Sequence, residues 1–290
     1  MNADVAEAIE RHRAAGREFE AGGARSFVRE QGDGEPVVLM HGIPVSSFLY
    51  RKMLPLLAER GLRGVAFDLP GLGLAEKRAD FDYTWTGLGR WAGAAIDALG
   101  IESCHLVLHD IGGPIGLEWA LRNAGRVKSL TVLDTVIDLT SFRRVWTMEL
   151  ASPPLIGPLW VATIRPPVAR WLFYLQGIKD RSATPAHEVD AHIALLHRDG
   201  GGRSFRSIVR GFELTAEKER FYTEGLSEAG WPARILWGAD DPALGPERRE
   251  AIERALGIEA EMLPAKHFLQ EDQAPALSDA IAAQALGSPA

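Results

Sequence analysis

The stretch His105–Gly116, HLVLHDIGGPIG, runs from a short apolar segment through a polar pair into a glycine-rich turn. A sharp strand-to-helix turn lifts one side chain clear of a sheet edge, and small residues must flank it because the backbone is crowded there. Gly112 and Gly113 supply small residues on the far side, whereas Leu108 on the near side is large. The residue at the turn is Asp110, and the helix that follows directs its amino end, which favours negative charge, at the same place. A carboxylate held this way suits displacement at saturated carbon, where a serine would attack a carbonyl. Taken alone, Asp110 reads equally well as a helix N-cap.

Two further segments point toward chemistry. HGIP, His41–Pro44, follows the apolar run Val37–Met40. A loop in that position donates a backbone N–H to an oxyanion hole, so Ile43 is one expected donor and Ile111 the other. AKHFLQED places His267 in a loop near the carboxyl end, downstream of WGADDP with Asp240 and Asp241. The chain order is therefore nucleophile, acid, histidine. Asp134, at the end of LTVLD, is a second candidate acid. Asp240 and Asp68 are expected as solvated or turn-capping residues. His109, Cys104 and His105 are expected to be structural.

Elements that could position these groups are legible in the periodicity. An amphipathic helix is expected over residues 3–20. Strands are expected over Arg25–Glu30, Pro36–Met40, Arg63–Asp68, His105–Leu108, Lys128–Asp134, Ala233–Trp237 and Ala260–Leu263. Helices are expected over Thr84–Leu99, from the elbow to about Asn123, over Glu247–Leu256, and from Ala274. Strands that are continuous apolar runs alternating with helices argue an α/β protein with a mostly parallel sheet, covered by helices on both faces. From about Val136 to Gly225 the strand signals stop, and the segment reads as a helical insertion. The expected division is a core at 1–135, a helical lid or cap at 136–225, and the rest of the core at 226–290.

The 290 residues, 46% apolar, suffice for a large core, and the formal charge is 32 − 39 = −7. With no basic stripe, nucleic acid is not an expected partner. Cys104 is the only cysteine, which excludes an intrachain disulfide and a thiolate-rich zinc site. The amino terminus has no signal-peptide core. The most apolar window, Pro153 to Leu175, is broken by Arg165, Arg170 and two proline pairs, so a membrane span is not expected. A cytoplasmic monomer or homodimer is the default.

HGIPVSSFLYR, DLPGLGLAEK, HDIGG and KHFLQED together resemble the α/β-hydrolase superfamily, and within it the haloalkane dehalogenases and their epoxide hydrolase relatives. The resemblance spans nearly the whole chain. It implies the α/β-hydrolase fold with a lid, attack on carbon by Asp110 to form an alkyl-enzyme ester, hydrolysis of that ester by water activated at His267, and no metal or organic cofactor. It also favours Asp241, directly before Pro242, as the acid over Asp134. The pattern departs at the leaving group. Dehalogenases place an Asn after HG and a Trp after the nucleophile, where this chain has Ile43 and Ile111, neither of which can donate from its side chain. Epoxide opening instead needs lid acids, here Tyr174 and Tyr222, with His187, His192 and His197 as substitutes. Trp146, Trp160 and Trp171 are further candidates to line the pocket. The expectation is epoxide hydrolysis of a small apolar substrate. The alternatives are dehalogenation with a non-standard halide site, and a non-hydrolytic binding or luciferase-like role.

Overall fold

A computed structural model describes residues 2–287. Eight strands form one sheet in the order β1-β2-β4-β3-β5-β6-β7-β8. They are β1 Arg17–Ala21, β2 Ala24–Gln31, β3 Glu35–Met40, β4 Leu62–Phe67, β5 Cys104–Asp110, β6 Val127–Thr135, β7 Ala233–Gly238 and β8 Glu261–Leu263. The pairs β1–β2 and β2–β4 are antiparallel, and every later pair is parallel. β5, which ends in Asp110, is central and buried at every residue. That is why its sequence shows no polar alternation.

Side chains at successive strand positions point to opposite faces, and two helical layers receive them. Val38 and Met40 of β3 pack with Leu106 and Leu108 of β5 under α3 (Trp85–Ala98) and α4 (Gly112–Ala120). Val37 and Leu39, one residue out of phase, pack with Val107 and Leu133 under α2 (Met53–Glu59) and α13 (Ala274–Ala285). The helix expected over residues 3–20 ends early. α1 covers Ala3–Ala14, and past Gly16 the burial of Phe19 and Ala21, two residues apart, makes Arg17–Ala21 an edge strand.

The insertion after β6 carries α5 (Trp146–Ala151), α6 (Ile156–Thr163), α7 (Val168–Gln176), α8 (Ala186–His197) and α9 (Gly201–Arg210). The expected boundary at residue 225 falls inside α10 (Ala216–Glu228). That helix packs on the core: Tyr222 Oη donates to Glu118 on α4 at 2.8 Å, and Leu226 is buried. The core therefore resumes near residue 216. α11 (Pro246–Leu256) and α12 (Leu269–Asp272) complete it. No helix among the described residues is long and apolar enough to cross a membrane.

Candidate active site

β5 delivers Asp110 to the turn before α4 in a left-handed conformation, φ 53°. A non-glycine residue there is strained, and the surroundings must hold it. They do so at two glycines. A Cβ on Gly113 would strike the Thr135 hydroxyl, which itself donates to the Asp110 carbonyl at 2.5 Å. A Cβ on Gly42 would strike the Asp110 carboxylate. These close approaches let the backbone of both neighbouring loops reach the acid.

The Ile43 N–H donates to Asp110 Oδ1 at 2.7 Å, and the neighbouring Ile111 N–H helps to lower the carboxyl's pKa. Ile43 thus points a backbone donor at the Asp110 carboxylate, while the side chains of Ile43 and Ile111 stay in the core. The other oxygen, Oδ2, lies 3.5 Å from His267 Nε2. Burial pushes the Asp110 carboxyl up, but the hydrogen bond and charge of His267 outweigh it and hold it below the ordinary carboxylate range.

His267 sits in the loop between β8 and α12. Its Nδ1 donates to Asp241 Oδ2 at 2.8 Å. Asp241 Oδ1 accepts from the backbone N–H groups of Ala243 at 2.7 Å and Leu244 at 3.2 Å, so the turn after β7 fixes the carboxylate. Burial alone would push the imidazole down. The Asp241 charge, with bonds to Asp110 and Asp241, raises it well above its ordinary value.

Asp134 is fully buried beside this pair. Its Oδ1 accepts from Gly238 N–H at 2.9 Å, and its Oδ2 has no partner. Burial first, then the Asp241 charge, raises its carboxyl well above the usual range. Asp241, not Asp134, is the partner hydrogen-bonded to the histidine. Asp134, Asp241 and His267 are also a group with metal-type ligand atoms, all within 4.8 Å of one another. His267 Nδ1–H and Asp241 are already joined by a proton there, so the set is a hydrogen-bonded cluster rather than an open ligand shell.

The residues around this trio brace it. His109 Nε2 donates to the His267 carbonyl at 2.8 Å, and burial lowers its pKa to about 4, so the ring is neutral. His41 Nε2 accepts from Leu69 N–H at 3.0 Å, which leaves Nδ1–H to donate to the Gly42 carbonyl at 2.8 Å. Asp68 accepts from Ser47 and Leu74 backbone N–H groups and ties the two loops further. Asp240 is exposed and paired with Lys179 at 2.5 Å. Behind His267, the buried Glu271 of α12 accepts from Arg51 at 2.6 and 2.9 Å and from His192 of the cap at 2.8 Å. Arg51 also reaches Glu188 of α8 at 2.5 Å.

A cavity of about 100 Å³ opens over Asp110 and His267. Its walls are apolar, with Phe142, Met148, Leu172, Phe173 and Phe268 among them. The aromatic and tyrosine residues expected here lie elsewhere. Trp146 and Trp171 are 51% and 56% exposed on the outer side of their helices. Trp146 packs on Trp160, whose Nε1 donates to the Thr147 carbonyl. Tyr174 Oη donates outward to the Thr184 carbonyl, and Tyr222 belongs to the core through Glu118. His192 and His197 donate to Glu271 and the Ile164 carbonyl, and neither they nor His187 line the cavity. The polar side chains that the cap does contribute are Thr147 and Gln176, at which sequence reasoning did not stop. Their one available signal is position: Gln176 ends α7 three residues after cavity-lining Phe173.

The description "alpha/beta hydrolase fold" fits the family profile that matches residues 35–170. A haloalkane dehalogenase of Psychrobacter cryohalolentis is 38% identical over 259 residues, covering 83% of this chain and 80% of that protein. Haloalkane dehalogenase 2 of Mycobacterium tuberculosis is 28% identical over 281 residues, covering 91% and 93%. Among solved structures, the epoxide hydrolase CorEH superposes with a TM-score of 0.78 at 20% identity, covering 91% of this chain and 96% of that one. Cfl2 from Burkholderia cenocepacia superposes with a TM-score of 0.77 at 22% identity, covering 92% and 94%.

Proposed function

The chain belongs to the α/β-hydrolase superfamily, in its haloalkane dehalogenase and epoxide hydrolase-like group, and on that premise we propose that Asp110 opens the reaction by attacking a saturated carbon of a small apolar substrate. The observation that carries this reading is the Asp110–His267–Asp241 line beneath an apolar cavity. Asp110 Oδ2 attacks, and an alkyl ester forms while Oδ1 stays on the Ile43 N–H, with the Ile111 N–H beside it. Those donors then hold the oxyanion when water attacks the ester carbonyl. Ester formation removes the Asp110 charge that helps hold a proton on His267. The imidazole pKa therefore falls, and the neutral ring is free to take a proton at the point where water must be activated, with Asp241 fixing its tautomer.

Epoxide hydrolysis is the favoured reaction. Ile43 and Ile111 offer no side-chain N–H to a departing halide, and each missing donor to a charged group costs roughly 1.5–3 kcal/mol. An epoxide oxygen stays tethered to the substrate as its C–O bond breaks; the Gln176 amide and Thr147 hydroxyl are the cap groups that can hydrogen-bond the resulting alkoxide, which takes its proton from solvent water. The second reading is halide displacement with those same two groups as halide donors. The 38% identity to a haloalkane dehalogenase favours it.

The deciding experiment incubates His267→Gln with epoxide and haloalkane panels in heavy-oxygen water, with mass spectrometry of the Asp110 peptide. An ester on Asp110 with epoxides is the expected result. An ester with haloalkanes alone moves the second reading to first place, and no adduct with any substrate that the unmodified chain turns over removes the covalent mechanism.

A further inference from the structure

The apolar window between Pro153 and Leu175 is not explained by the cavity alone. Eight of the ten large apolar side chains that are exposed among the described residues fall between Trp146 and Leu175. α5 turns Trp146 and Leu150 outward, four residues apart. α6 turns out Ile156 (56% exposed) and Leu159 (72%), with Leu155 just before it at 84%. α7 turns out Val168, Trp171 and Leu175, spaced by three and four, while its opposite side supplies Ala169, Leu172 and Phe173 to the cavity. A helix apolar on both sides is expected where both sides are covered. Single exposed apolar residues are ordinary, but lines of them on three consecutive helices mark a contact surface.

The charge around these helices selects the partner. Residues 143–181 carry six Lys+Arg (143, 144, 165, 170, 179 and 181) against two Asp+Glu (149 and 180), a local +4 on a chain of −7. Arg143 and Arg165 are exposed and have no carboxylate partner among the described residues, and Arg181 lies over the Tyr174 ring rather than an acid. Two copies meeting through this surface would bring like charges together, which costs several kcal/mol per close juxtaposition. An anionic lipid surface answers both features, because apolar side chains enter the headgroup boundary while arginines meet the phosphates, and tryptophan favours that boundary.

We propose that the outer face of α5–α7 docks the cap onto an anionic bilayer surface. The contact is peripheral, since no helix among the described residues is long and apolar enough to cross a bilayer, and it is independent of which reaction the cavity performs.

The test is flotation of the full chain with phosphatidylcholine vesicles, with and without phosphatidylglycerol. Co-flotation with the anionic vesicles is expected, weakening with salt. Arg143→Ala and Arg165→Ala should each lower partitioning roughly fivefold. Leu155→Ser with Leu159→Ser and Trp171→Ser should abolish it while circular dichroism is unchanged, since all three side chains are exposed. No flotation with anionic vesicles, equal flotation with both kinds, or flotation indifferent to the serine substitutions overturns the proposal. So does sedimentation as a dimer that the serine variant splits, which assigns the face to a second copy.

Discussion

His109 Nε2 donates to the main-chain carbonyl of His267 at 2.8 Å, so the residue before Asp110 holds the loop that carries His267. Asp110 and the His267 loop are thereby positioned from one strand end. His109→Phe keeps a ring against His267, now 4.9 Å away, and removes only the N–H donor. The attack step should be unchanged, while ester hydrolysis slows by about tenfold, the worth of one lost hydrogen bond. Rapid-quench kinetics should then show more accumulated ester than in the unmodified protein. A purely structural role would lower both steps together.

Asp241→Asn should cost roughly four orders of magnitude in turnover, because the amide favours the wrong tautomer of His267. Asp134→Asn puts an amide of the same shape in place of a carboxyl that bonds Gly238 rather than His267, and should cost less than tenfold. Steady-state rates of the two variants on one substrate give the ranking, and the reverse order would make Asp134 the working acid.

Gln176→Leu removes the cap's amide from the cavity wall without adding charge. The expected loss is about one to two orders of magnitude in the rate of ester formation, with hydrolysis of the preformed ester unaffected. Restoring donors in the family's other positions, Ile43→Asn with Ile111→Trp, should raise dehalogenation by about two to four orders, provided the indole fits. Halide release by the double variant is the measurement.

Most of the fold was legible because β3, β5, β6 and β7 are buried on both faces and therefore read as unbroken apolar runs. Asp110, His267 and Asp241 were legible as a group because a turn rich in glycine, two strand ends and a fixed order constrain them together. The cavity lining was not. α7 is apolar on two sides, and nothing in its period says whether Trp171 or Phe173 turns inward. Tyr222 was misplaced for a different reason: α10 follows the cap without any break in helical pattern, yet packs on the core through Glu118. His109 and Gln176 act through a carbonyl and an open wall, and neither leaves a pattern in sequence.

Glu271 gives the chain an acid-side stability limit. Burial pushes its carboxyl up, but the Arg51 charge and bonds from His192 and Arg51 outweigh it and hold it well below its ordinary 4.5. A depressed folded value means that this carboxylate stabilises the fold above the unfolded pKa, and that the contribution is lost as pH falls through the folded one. Urea midpoints should be insensitive to Glu271 from neutral pH down to about 5, then fall as acid protonates it. Glu271→Gln should lose about 3–5 kcal/mol at pH 7 and flatten the acid slope. An unchanged slope would show that other carboxylates set the limit.

That same knot makes the cap a poor module for exchange. Glu188 and His192 come from the cap, while Arg51, Lys52 and Glu271 come from the core. A chimera that grafts a foreign cap at the loops flanking α5–α9 would leave Arg51 and the buried Glu271 with two partners gone, and Glu271 lies just after His267 in the chain. Swapping substrate range by cap transplantation in this chain therefore requires carrying Glu188 and His192 across with the graft, or neutralising Arg51 and Glu271 together in the recipient.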